Sequence, residues 1–270
     1  MRGISNHAAA TARESLETLL ASGADCSRVA EDLFGATGLL AGNASLRRAL
    51  TDSSHRAEAK TGLVDRLLSG QVGAEALELL RGLVLDRWAS PGDLTDTVEA
   101  LAVTATLAGA ERAGRLERVE DELFRFSRTV GGDVRLRDAF SARTPGRERK
   151  EDLVRRLLEE KAAPETVRLA VQAAGSPRGL RTEWALTGYV TAAAERRQQL
   201  VAHVVVASPL DETRHERLQS VLRRIYRRPI QVNTDIDPQV LGGLRVEIAG
   251  QVLDGTVLGR MDRARRALAG

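Results

Sequence analysis

VAEDLFGATGLLAGNASLRRAL, residues 29–50, returns ninety positions later as VEDELFRFSRTVGGDVRLRDAF, residues 119–140. The register continues without a gap from EAKTGLVDRLL (58–68) to ERKEDLVRRLL (148–158). About a third of the positions in this stretch are identical. They include Leu33 and Leu123, Phe34 and Phe124, Leu46 and Leu136, Lys60 and Lys150, and Leu67 and Leu157. A constant offset held over about forty residues points to duplication of one structural unit.

Both copies carry helical periodicity. Leu116, Val119, Leu123 and Phe126 fall at i, i+3, i+7 and i+10, a single helix stripe. Leu63, Val64, Leu67 and Leu68 form another, repeated by Leu153, Val154, Leu157 and Leu158. Further stripes lie at Leu16, Leu19 and Leu20 and at Val98, Leu101 and Ala105. Breakers separate them at Gly23, Gly42-Asn43, Gly70, Pro91-Gly92, Gly131-Gly132 and Pro177. Short helices with brief turns are bundle topology, so residues 1–108 are expected to form one helical bundle and 109–200 a second, related one.

The pattern changes at residue 201. VAHVVVASPL is a β-branched run closed by a proline and predicts a buried strand. Leu218, Val221, Leu222 and Ile225 then mark an amphipathic helix, with Asp211 placed to cap it. IQVNTDID alternates strictly and predicts a strand with Ile230, Val232 and Ile236 on one face. Leu244, Val246 and Ile248 alternate again, and LGRMDRARRALAG reads as a closing basic helix. The expected fold class is therefore mainly α: two related N-terminal helical bundles followed by a small α/β C-terminal domain, residues 201–270.

Composition narrows the function. Hydrophobic residues are 43% and charged residues 29% of the 270, a globular balance, but aromatics are only 3%. Cores must be filled by Leu, Val and Ala, and stacking platforms for single-stranded nucleic acid are scarce. The net charge of +3 divides as −4 over residues 1–108, +4 over 109–200 and +3 over 201–270. Patches this modest suit docking between proteins better than clamping a polyphosphate. Cys26 is the only cysteine, which excludes an intramolecular disulfide and a multi-cysteine metal site and fits a reducing compartment. The N-terminus lacks the apolar core of a signal peptide, and Leu200–Ala207 is far shorter than the roughly 20 residues that span a bilayer.

Reacting groups are not assembled by the sequence. His7, His55, His203 and His215 are scattered, without metal-ligand spacing. No serine stands in GxSxG. Lys60-Thr61 resembles the end of a P-loop but follows SHRAEA, which has no glycine to turn successive N–H groups toward an anion. DPQVLGGLRVEIAGQVLDGTV (237–257) holds four glycines, yet strand-like alternation rather than a helix follows Gly242-Gly243. These glycines read as backbone hinges. Asp237-Pro238 starts a turn, Gly242-Gly243 bends into a strand, Ala249-Gly250-Gln251 reverses it, and Asp254-Gly255 leads toward the last helix. No catalytic, cofactor-binding or metal-ligating residue is expected, and no cofactor.

The same C-terminal stretch resembles the signature of the delta subunit family of F-type proton-translocating ATP synthases, bacterial relatives of the mitochondrial oligomycin sensitivity-conferring protein. The resemblance rests on Asp237, Gly242, Gly243, Gly250, Asp254, Gly255, Gly259 and Arg260, and on the entry strand VVVASPL with Ser208 and Leu210. Members of the family usually have one N-terminal six-helix bundle, whereas this chain carries two, as a long form would. The resemblance implies a non-catalytic stator at the cytoplasmic face of the bacterial cell membrane, one copy per complex. Its helical bundle would grip the N-terminal helix of an alpha subunit, and its C-terminal domain would hold the C-terminal ends of the b subunits. An apolar bundle groove can accept such a helix, and a joint under load needs at least a standard interface of about 1,200–2,000 Å². Read without the resemblance, the residues also fit a helical-repeat scaffold or regulatory protein-binding module. A nucleic-acid binder using Arg223–Arg228 and Arg260–Arg266 is a further alternative, and it would bind with steep salt dependence.

Overall fold

The computed structural model describes residues 3–141, 146–175, 181–198, 200–226, 230–237, 243–248 and 251–254. Two compact units emerge, Met1–Ala194 and Glu195–Gly270. The named elements of the first are all helices, and most of the described residues in the second build one small sheet and a helix, so the chain is mainly α with a small α/β C-terminal domain.

Among the described residues, eleven helices precede the sheet: α1 (Gly3–Ala21), α2 (Cys26–Gly42), α3 (Ala44–Thr51), α4 (Ala57–Leu68), α5 (Ala74–Leu85), α6 (Pro91–Arg112), α7 (Leu116–Gly132), α8 (Val134–Ser141), α9 (Arg147–Leu158), α10 (Pro164–Gly175) and α11 (Thr182–Gln198). The bounds of α2, α3, α4 and α5 recur ninety residues later as those of α7, α8, α9 and α10. The repeat thus extends past the similar sequence into helix length and turn length.

Two hydrophobic cores fill this unit. The first is built around Leu16, Leu33, Leu83, Leu94 and Val98, all almost wholly buried. The second is built around Val119, Leu123, Val130, Leu169 and Leu186. Helix α6 belongs to both: Leu94, Val98, Leu101 and Ala105 face the first, Val103, Leu107 and Ala110 the second. A helix packed on more than one side carries no single apolar stripe, and Thr97, Thr104 and Thr106 are accommodated because each hydroxyl donates to the carbonyl four residues back. Residue 108, where the sequence suggested a bundle boundary, lies inside α6.

Local chemistry repeats with the helices. Ser90 and Pro91 open α6 as N-cap and first-turn proline. Asn43 and Asp133, ninety residues apart, cap α3 and α8 by accepting backbone N–H groups. Lys60 is 7% exposed in α4. At its repeat position, Lys150 Nζ donates to the Phe140 carbonyl at 2.6 Å, satisfying an acceptor left over at the end of α8.

The second unit has strand β1 (Leu200–Val206), helix α12 (Glu212–Tyr226), and strands β2 (Ile230–Ile236), β3 (Leu244–Ile248) and β4 (Gln251–Asp254), in sheet order β2-β1-β3-β4. β1 and β2 are parallel, linked through α12, while β1–β3 and β3–β4 are antiparallel. Alternate residues Ala202, Val204, Val206, Ile230, Val232, Val246 and Ile248 form the core with Leu222. The Arg214 N–H donates to Asp211 Oδ1 at 2.7 Å, the expected cap of α12. Two expected core residues differ: Ile225 and Ile236 are 60% and 55% exposed. Each stands in the last turn of its helix or at the last position of an edge strand, where the core they would join has ended.

Candidate partner-docking surfaces

In the α/β unit, three of the eight signature residues are described. The Asp237 N–H donates to the Val206 carbonyl at 2.9 Å, tying the chain leaving β2 back to β1. Gly243 has φ of +84°, a backbone that an L side chain would strain, directly before β3 begins at Leu244. Asp254 closes β4 in register with Arg245. Gly242, Gly250, Gly255, Gly259 and Arg260, and the expected closing helix, lie outside the described residues. Among the described residues, no group of three His, Cys, Asp or Glu side chains is placed to hold a metal ion.

The helical unit offers surfaces instead. A cavity of about 550 Å³ lies where the starts of α2 and α10 meet the end of α6. Its arginines are engaged. Arg112 donates to the Leu20 and Ala24 carbonyls, Arg115 pairs with Glu165 at 2.5 Å, and Arg168 donates to the Ser27 carbonyl at 2.9 Å. They serve to join helices, and Gly109 helps, because a Cβ there would come within 3.3 Å of Cys26.

A second groove, about 400 Å³, runs between α1, α6 and α11. Ala9, Ala100 and Gly188 keep it open, and Trp184, 70% exposed, stands beside it. Below, the Tyr189 hydroxyl donates to the buried carboxylate of Glu99 at 2.7 Å, locking α11 to α6. An apolar groove with an exposed indole is suited to the face of a partner helix. Sequence reading passed over these residues, because stripes on α6 and α11 are blurred where a helix packs on more than one side. The signal available was that this aromatic-poor chain has only two tryptophans.

A carboxylate device holds each bundle. Asp32 Oδ2 in α2 accepts the Gly73 N–H at the start of α5, at 2.8 Å. Ninety residues on, Glu122 Oε2 in α7 accepts the Ala163 N–H at 2.8 Å and the Thr166 hydroxyl at 2.6 Å, at the start of α10. Burial works against ionisation of Glu122, but the hydrogen bonds from Thr166, Ala163 and Arg118 outweigh it and hold the carboxyl below its usual range.

A family model described as ATP synthase delta (OSCP) subunit matches residues 103–268, beginning inside α6 and running through the α/β unit. The ATP synthase subunit delta of Kineococcus radiotolerans is 49% identical over 99% of this chain and 98% of its own length. That of Streptomyces griseus is 45% identical with both chains fully covered, and that of Salinispora arenicola 42% identical over 97% and 98%.

Proposed function

The chain belongs to the ATP synthase delta (OSCP) subunit family, and we propose that in an F-type ATP synthase it is the stator joint between the catalytic head and the b subunits. Subunits of this family are non-catalytic parts of the peripheral stalk, which holds the head against the turning rotor. In this reading a helical bundle takes the N-terminal helix of an alpha subunit, and the α/β unit takes the C-terminal ends of the b subunits. The complex would present the chain at the cytoplasmic face of the membrane. No helix among the described residues is long and apolar enough to cross a bilayer, as suits a peripheral part.

The observation that carries the assignment of tasks is where the family match begins. It takes in α7–α11 and the latter half of α6, and leaves α1–α5 outside. The bundle α6–α11 with the α/β unit is the region held in common with the family at large, so it is the bundle proposed to grip alpha. The added helices α1–α5 then extend the joint.

Calorimetric titration of the full chain with an alpha N-terminal peptide and with the b C-terminal segment tests this. Both should bind, and removing residues 1–90 should leave both affinities within about threefold, or under 1 kcal/mol. If neither segment binds, the stator reading fails. If alpha binding is lost with residues 1–90, the task belongs to the first bundle.

A further inference from the structure

The two bundles join through one face of α2. Ser27, Glu31, Phe34 and Gly38 lie along it at helical spacing. The Ser27 carbonyl accepts from Arg168 of α10, and Glu31 stands 3.6 Å from the same guanidinium. Phe34 packs against both cores. A Cβ added at Gly38 would lie 3.7 Å from Arg147 of α9. This is a head-to-tail contact: a stripe on the second helix of one repeat receives the fourth and fifth helices of the next.

The ninety-residue offset places the same stripe on α7, as Glu117, Asp121, Phe124 and Arg128. No third repeat follows. All four residues are exposed, and Phe124, which repeats Phe34, is 54% exposed. A terminal repeat ordinarily turns a polar face outward. This one keeps the aromatic anchor of the joint and adds a second carboxylate where Ser27 stood. Asp121 pairs with Arg125 at 2.7 Å, but both are at least half exposed, and such a pair is readily exchanged.

We infer that the Glu117–Asp121–Phe124–Arg128 face of α7 is a docking site for an amphipathic helix of a neighbouring subunit, bearing arginine or lysine beside its apolar anchor. The inference rests on the stator reading for the presence of a neighbour. Charge complementarity selects the occupant: the two carboxylates call for the cation that Arg168 provides to Glu31 within the chain, and Arg128 calls for an acidic residue at the other end. A second copy of the chain is disfavoured by the same arithmetic. Stacking it head to tail would set Asp121 against Glu78, which repeats Arg168 ninety residues earlier, and like charges there oppose association.

The test is photo-cross-linking in the whole ATP synthase, with benzoylphenylalanine at position 124 and, as a control, at 34. Position 34 should cross-link within the chain, to α9 or α10. Position 124 should cross-link to a helical segment of another subunit that carries a basic residue within about one turn of the adduct. Glu117→Arg with Asp121→Arg should cut that yield about tenfold or more while leaving the position 34 product unchanged. A product confined to residues 195–270 of the same chain, one joining two copies, one on a segment without a basic residue, or none at all would overturn the inference while the chain remains in the complex. A chain that does not purify with the complex would overturn the stator reading as well.

Discussion

The two helical bundles share helix bounds but not core composition. On α5 the first presents Leu80, Leu83 and Val84 to its core, where α10 presents Ala170, Ala173 and Ala174. The second bundle recovers volume elsewhere: Phe126 replaces Ala36 and Phe140 replaces Leu50, their rings meeting edge to face at 6.5 Å. Close packing is retained with the bulk moved from one helix to another, which a core tolerates when total volume and pattern are kept. What stays constant is the scaffolding, namely helix lengths, the carboxylate that caps the fifth helix, and the buried leucine at positions 33 and 123. A repeat is defined by where its backbone turns and is capped more strictly than by which apolar residue fills each site.

The largest expected effect separates two ways of cutting the bundles apart. Removing residues 1–90 should leave a cooperatively folding chain, because α6 survives whole. Removing residues 1–108 should not, because Val103 and Leu107 leave the second core with most of their helix. Circular dichroism melts and limited proteolysis distinguish these outcomes, and equal stability of both fragments would mean that α6 is not shared.

A smaller effect contrasts equivalent aromatics in the isolated chain. Phe34→Ala should destabilise by about 1.5–3 kcal/mol, since the ring packs between two cores. Phe124→Ala should lie within about 0.5 kcal/mol of the parent, as surface changes do. Urea midpoints measure both, and equal costs would break the distinction between a filled and an open joint.

The smallest effect concerns the caps. Asp32→Ala and Glu122→Ala should each cost roughly 0.5–2 kcal/mol at pH 7, as lost N-terminal acceptors do. For Glu122 the sign with pH follows from its depressed carboxyl. Its contribution is fully present above the unfolded value of 4.5 and is lost as pH falls through the lower folded value. Glu122→Gln should therefore narrow the gap to the parent between pH 6 and pH 3, and a gap constant across that range would contradict the assignment.

The repeat was legible because Leu33/Leu123 and Lys60/Lys150 keep register across turns of different sequence but equal length, and the cap of α12 because Asp211 precedes a clean stripe. Gly243 was legible for a simple reason: a bend into a strand requires a backbone that glycine tolerates. The double role of α6 was hidden, since small residues and threonines on every side leave no preferred face to read. The open face of α7 was hidden differently. Phe124 follows an acidic residue and a leucine as Phe34 does, and the ending of the repeat array makes one a joint and the other a surface.

Helix α6 has 22 residues, roughly 33 Å of unbroken backbone at 1.5 Å per residue. In a part that resists torque, this sets where the structure can yield. Two bundles tied by a loop could swivel, and the load would fall on side-chain contacts alone. With one rod running through both cores, relative twist must stretch main-chain hydrogen bonds and shear two packed interiors at once. The added repeat therefore lengthens the part without introducing a hinge.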